Sequence, residues 1–133
     1  MTSLPEVQHL GIGIHRTPAE VYRFVSILHN LARWASGLGE TLRVAGGEVV
    51  AEGPLGRITV RFVAQNDLGV LDHDVVVASG EVFHNPMRVI PSGPGSEIVF
   101  SLVRQPGVSD ERFEEDARWI ERDLETLKAL LEA

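Results

Sequence analysis

One long amphipathic helix at the end of the chain constrains the fold more than any other feature. In residues 109–133, Phe113, Ala117, Ile120, Leu124, Leu127 and Leu131 recur at spacings of four, three, four, three and four. That period puts all six on one face. Ser109 is suited to cap the helix, and Asp110 and Glu111 sit favourably in its first turn. The chain before this helix is mostly short strand-like segments. A sheet that must cover such a stripe has to curve around the helix, and a curved sheet with one closing helix can enclose a pocket.

The strands are punctuated regularly. Val7 to His15 alternates, with Leu10, Ile12 and Ile14 on one side and His9, Gly11, Gly13 and His15 on the other. Thr17-Pro18-Ala19-Glu20 is a helix start with a capping box, and Val21, Phe24, Val25 and Leu28 then share a face. A second short helical piece over residues 30–35 carries Trp34 and stops at Gly37 and Gly39. Strand-like segments follow at 41–45, 48–52, 57–65, 70–78, 82–90 and 96–104. The breaks are short and each holds glycine, as in Gly53-Pro54-Leu55-Gly56, which suits antiparallel hairpins and leaves no room for parallel crossovers. The expected class is therefore α+β. It consists of a seven-stranded antiparallel curved sheet, two short helices after strand one, and a long C-terminal helix gripped by the sheet, in a single domain over residues 1–133.

These pieces carry a resemblance. IGIHRTPAEVYRFV followed by Trp34, the segments GVLDHDVVV and HNPMRVIPSGPGSEIVF, and the closing SDERFEEDARWIERDLETLKALLE together resemble the SRPBCC superfamily. That group holds START-related lipid-transfer domains, plant allergen-like ligand carriers and polyketide cyclase/dehydrase-like proteins. The DH and NPMRV pieces are similar to bacterial members of undetermined role. The resemblance covers essentially the whole chain and implies the helix-grip fold, with a cavity between sheet and last helix. It specifies no reaction.

Alternation then nominates the lining. Ile58, Val60, Phe62 and Ala64 share one face, as do Leu71, His73, Val75 and Val77, and again Ile98, Phe100 and Leu102. His73 thus falls among apolar neighbours. It can orient a ligand hydroxyl or carbonyl, or move a proton, or simply pack as a satisfied core histidine. His84 and Asn85 form a second polar pair, either facing the pocket or serving the turn at Pro86, with Met87 beyond. Trp119 widens the apolar flank of the last helix and either lines the cavity or packs on the sheet edge. Trp34 is expected at the mouth, and Tyr22 either lends a hydroxyl there or lies at the surface. The expected ligand-binding set is His73, Phe62, His84, Asn85, Met87, Phe100, Trp34, Trp119 and Ile120. Arg57 and Arg61 are expected to face solvent or to pair with Asp72 and Asp74 across strands.

Other classes fit poorly. The net charge is −7, and the last helix with nine acidic and four basic residues carries five of those charges. No basic stripe is available for phosphates, so nucleic acid is not an expected partner, and neither is an anionic membrane. No apolar run is long enough for membrane insertion, and the N-terminus lacks a secretion signal, which favours the cytoplasm. The chain has no cysteine, and no HxH or HExxH pattern, so no metal and no cofactor are expected. Asp72-His73-Asp74 reads like a ligand cluster, but successive strand residues point to opposite faces. No complete catalytic signature is present.

Three functions remain. The first is binding of a small hydrophobic or aromatic molecule in the cavity. The second is a polyketide cyclase or aromatase-like enzyme using the same cavity, with His73 as the best candidate for proton transfer. The third is an interaction module with a filled cavity, in which the outward Val70, Val76, Val99 and Val103 meet a partner. The simplest such partner is a second copy, giving a homodimer.

Overall fold

The computed structural model describes residues 3–38, 41–53 and 56–133. Gly39 and the Pro54-Leu55 centre of one expected turn lie outside the described residues. Strand β1 (Val7–Ile14) leads into helix α1 (Pro18–Ser26), a 3₁₀ turn at Leu28–Asn30, and the short helix α2 (Leu31–Trp34). Strands β2 (Arg43–Ala45), β3 (Glu48–Gly53), β4 (Gly56–Phe62), β5 (His73–Val76), β6 (Val82–Asn85), β7 (Met87–Ser92) and β8 (Gly95–Val103) follow. Helix α3 (Asp110–Glu132) closes the chain.

Local chemistry sets the helix boundaries. Thr17 caps α1 by accepting from the Glu20 N–H at 3.2 Å, and the Glu20 carboxylate accepts from the Thr17 N–H at 3.4 Å. Pro18 fills the first helical position, where an absent N–H costs nothing. Ser109 caps α3 through the Arg112 N–H at 3.1 Å.

All described strand pairings are antiparallel, in two sheets ordered β2-β3-β4-β5-β6 and β1-β8-β7. The expected count of seven strands in one sheet is corrected to eight strands in two among the described residues. The expected strand 82–90 divides at Pro86, which lacks an N–H for the ladder. Its first half pairs with β5, and its second half pairs with β8. The seam between the sheets is bridged by residues 69–71. The Leu71 N–H donates to the Met87 carbonyl at 2.8 Å, and the Val89 N–H donates to the Gly69 carbonyl at 2.9 Å. Gly69 has φ +72°, and a β-carbon there would sit 2.3 Å from the Val89 oxygen, so the bridge requires glycine.

Helix α3 presents the expected stripe. Phe113, Ala117, Leu124 and Leu127 are buried, and Ile120 and Leu131 are half-buried against the same core. At its C-terminal end Lys128 donates to the Gly13 carbonyl at 2.7 Å, and Glu132 accepts from the His15 N–H at 2.8 Å, which moors the helix to the end of β1. The helix packs closely on β1, β8 and α2, and stands away from β4, β5 and β6. A rigid helix resting on one half of a curved sheet leaves a gap over the other half. That gap is where the candidate site lies.

Of the two readings of Arg57 and Arg61, exposure to solvent holds, at 61% and 56%, and pairing with Asp72 and Asp74 does not. Arg57 pairs with Glu52 at 3.4 Å and Arg61 pairs with Glu48, both on β3, rather than with the aspartates of the 70–78 segment. Glu52 stands directly opposite Arg57 in the β3–β4 register. Asp72 is instead taken by Arg88 of β7, because the seam brings β7 alongside it. Ala64, expected inside, is exposed, since regular pairing of β4 ends at Phe62.

Candidate functional site

Phe62, His73 and Asn85 stand in one row across β4, β5 and β6. Phe62 is the register partner of His73, and His73 is the register partner of Asn85. Directly opposed residues of antiparallel strands share a face, so the row points one way. That way is toward α3. His73, Val75, Asn85, Val60 and Phe100 form the sheet wall of a cavity of about 270 Å³. Trp119, Ile120, Asp123 and Leu124 of α3 form the facing wall. Trp34, Leu31, Ala35, Ser36 and Leu38 close one side.

His73 is buried between two aromatic rings. The Phe62 ring lies 4.7 Å away, tilted by 31°, and the Phe100 ring meets it edge-on at 5.9 Å. Its Nδ1 is 3.0 Å from the Leu71 carbonyl oxygen. A carbonyl only accepts, so Nδ1 carries the proton, and burial, the main cause, holds the pKa below the ordinary histidine value. The ring is therefore neutral near pH 7, and Nε2 is a bare acceptor. Among the described residues Nε2 makes no hydrogen bond. Only the Trp34 indole nitrogen is both sealed from contact and without a partner there. His73 Nε2 thus keeps an open side, and the cavity it lines supplies it.

Among the described residues Asp123 is the only charged one in the lining. One of its carboxylate oxygens accepts from the Ser36 N–H at 3.2 Å and from the Ser36 hydroxyl at 2.6 Å. Half-burial, the largest influence, raises its pKa above the usual aspartate value, and the two Ser36 hydrogen bonds oppose that rise. The α2 turn that carries Ser36 also packs on Trp119. Gly37 has φ +90°, and a β-carbon there would lie 3.0 Å from the Trp119 ring. Trp119 remains 46% exposed, so it forms the outer rim of the cavity. The Arg122 guanidinium lies 5.8 Å from the centre of the Trp119 ring but is not part of the lining.

The structure brings seven expected residues together, six in the lining and Phe62 stacked behind His73. Trp34, His73, Asn85, Phe100, Trp119 and Ile120 line the cavity, and Trp34 is buried there. Two expected residues stand elsewhere. His84 projects from the opposite face of β6, where its Nδ1 lies 2.6 Å from the Asp74 carboxylate and its Nε2 lies 3.8 Å from Asp72. Alternation forces this, since its neighbour Asn85 already faces inward. Met87 lies past the Pro86 break and is fully buried in the core. Tyr22 is also away from the mouth, accepting from the Asn66 N–H at 2.9 Å. The residue that sequence reading missed is Asp123, although its position four after Trp119 puts it on the same helical flank.

Larger depressions exist and are open to solvent to much the same degree as the cavity. One of about 580 Å³ lies beside the start of α3 and meets the cavity at Asn85, which lines both. Another, of about 510 Å³, lies between α1 and residues 65–69. Neither contains a buried titratable side chain. Among the described residues no group of three or more His, Asp or Glu is placed to hold a metal, and no helix is long and apolar enough to cross a membrane.

A family model described as polyketide cyclase / dehydrase and lipid transport matches residues 10–132. No curated protein matches the chain at a significant level. Solved structures do. XoxI from Bacillus cereus aligns with a TM-score of 0.72 at 15% identity over 94% of each chain. The Aha1 dimer from Colwellia psychrerythraea aligns with a TM-score of 0.73 at 14% identity over 96% of each chain. DynU16, a protein of the dynemicin biosynthetic locus, aligns with a TM-score of 0.71 at 12% identity over 96% of this chain and 47% of its own, so this chain spans about half of DynU16. At these identities the likeness is one of fold.

Proposed function

The chain belongs to the polyketide cyclase / dehydrase and lipid transport family, as an SRPBCC-type domain, and from that premise we propose that it binds a small hydrophobic or aromatic molecule in the cavity between sheet and α3. One observation carries this reading. An apolar cavity of about 270 Å³ holds a few convergent polar groups, and one of them, His73, has an unused acceptor within it. Small-molecule sites have this composition, and this volume lies near their lower limit of about 300 Å³, which suits a ligand of one to three rings. Native mass spectrometry of the protein, alone and with lipid, terpenoid and aromatic probes, tests the reading. A stoichiometric adduct with a ring compound supports it. Absence of any adduct with every class removes it and favours a filled-cavity interaction module.

A second reading, a cyclase or aromatase-like enzyme in the same cavity, draws on His73 alone. A neutral imidazole with bare Nε2 can take a proton from a carbon flanked by two carbonyls, giving an enolate and an imidazolium. The enolate carbon would then attack a second carbonyl of the same chain, and the imidazolium would return the proton to the new alkoxide. Holding the chain folded would supply much of the rate. Full cyclisation activity in a His73→Ala variant would remove this mechanism.

A further inference from the structure

The cavity wall carries an asymmetry of charge and hydrogen-bonding sense. Among the described residues its lining includes no lysine or arginine, and its single charge is the Asp123 carboxylate. Of its side-chain polar groups with spare capacity, His73 Nε2 accepts only, the second oxygen of Asp123 accepts only, and the Asn85 amide does either, while the one dedicated donor without a partner, the Trp34 indole N–H, is sealed from contact. Ser36 is already spent on Asp123. A carboxylate entering this space would give up its water, find no cation in the lining, and face Asp123. Desolvating an anion without a partner is among the most unfavourable steps in recognition. A hydroxyl on an aromatic ring does the opposite, because it brings the donor that both acceptors lack.

We propose that this cavity selects uncharged, hydroxyl-bearing arenes and rejects carboxylates, with Asp123 as the residue that sets this preference and His73 Nε2 as the acceptor for the hydroxyl. The inference rests on the cavity-binding reading above and narrows it. It separates this chain from carriers of free fatty acids, whose head group would need a cation. It also gives Ser36 a function. By spending two donors on one oxygen, Ser36 holds the carboxylate in place at the wall and leaves the other oxygen free.

Three probes of matched shape test it: naphthalene, 2-naphthol and 2-naphthoate, titrated into the wild-type protein and into Asp123→Asn by calorimetry or fluorescence. The expected order for wild type is naphthol about tenfold tighter than naphthalene, as one good hydrogen bond gives. Naphthoate should be at least about tenfold weaker than naphthalene, as an unpaired buried charge requires. Asparagine keeps the shape and an oxygen for Ser36 but removes the charge. In Asp123→Asn the naphthoate-to-naphthalene ratio should rise by about tenfold or more. Equal binding of all three probes, tighter binding of naphthoate, or an unchanged ratio in the variant overturns the selectivity while leaving the cavity reading in place. If none of the three binds wild type, the cavity reading fails and the selectivity fails with it. The wild-type comparison decides the matter even where the variant does not fold.

Discussion

Ser36 and Asp123 are 87 residues apart in sequence, yet Ser36 directs both its backbone N–H and its hydroxyl at one oxygen of the Asp123 carboxylate, at 3.2 and 2.6 Å. This contact ties the turn after α2 to the middle of α3 at the cavity edge. Its charge-assisted geometry makes it stronger than a neutral pair.

Ser36→Ala should therefore destabilise the fold by about 1 kcal/mol, since the backbone donor remains and only the hydroxyl is lost. Urea denaturation measures it. A loss below about 0.3 kcal/mol would mean that the hydroxyl contact is fully replaced by water.

Asp72 holds the seam between the two sheets. Its carboxylate accepts from the Met87 N–H at 2.9 Å and from Arg88 Nε and Nη2 at 3.0 and 3.1 Å, and its side chain is 13% exposed. Asp72→Ala leaves a buried N–H at Met87 unpaired and should cost about 2–3 kcal/mol. Arg88→Ala should cost less, about 1 kcal/mol, because Arg88 is half-exposed. A larger loss at Arg88 than at Asp72 would contradict this ranking. The Arg88 hydrogen bond chiefly lowers the Asp72 pKa below its ordinary 3.8. The seam's electrostatic contribution is thus fully present above about pH 4 and fades as pH falls below it.

His73 gives the opposite end of the acid range its own signature. Burial lowers its pKa below 6.5, so the unfolded chain binds a proton more readily than the folded one. Stability from this group is fully present above about pH 6.5 and is lost as pH falls from there toward the lowered folded value. The wild-type denaturation midpoint should drop between pH 7.5 and pH 5.5 more steeply than that of His73→Phe. The remaining histidines are common to both proteins and cancel in the difference. Parallel pH profiles would show that His73 is not held neutral.

The grip of sheet on helix rests on Leu124 and Leu127, both almost wholly buried. Leu127→Ala should cost about 2–5 kcal/mol by denaturation, in the range of other buried leucine truncations. Ala129→Ser, on the exposed face of the same helix, should change stability by less than about 0.5 kcal/mol. Equal effects at the two positions would contradict the assigned face.

Much of this architecture is readable in the residues because it follows periodicity. The stripe on α3 and the inward row of His73 and Asn85 come from periods of 3.6 and 2. The capping box before Val21 follows from Thr17 and Glu20 alone. What is not readable depends on contacts between distant segments. Asp123 sits among nine acidic residues in 109–133 and looks solvated there, until the Ser36 turn folds over it. Asp72 sits where alternation turns it outward, but the break at Pro86 lays Arg88 across it. The same break takes Met87 into the core, because pairing shifts from β5 to β8 at that point.

The most direct measurement of the central claim is a proton–nitrogen correlation spectrum of the labelled protein during titration with 2-naphthol. The Trp34 indole lines the cavity and its buried N–H has no partner among the described residues, so it reports on occupancy. The account predicts saturable shifts of the Trp34 and Trp119 indole signals and of the His73 and Asn85 amides, with little change at Tyr22 and Asn66 on the α1 cleft. No shift at saturating ligand, or shifts confined to Tyr22, Asn66 and Leu68, would contradict it.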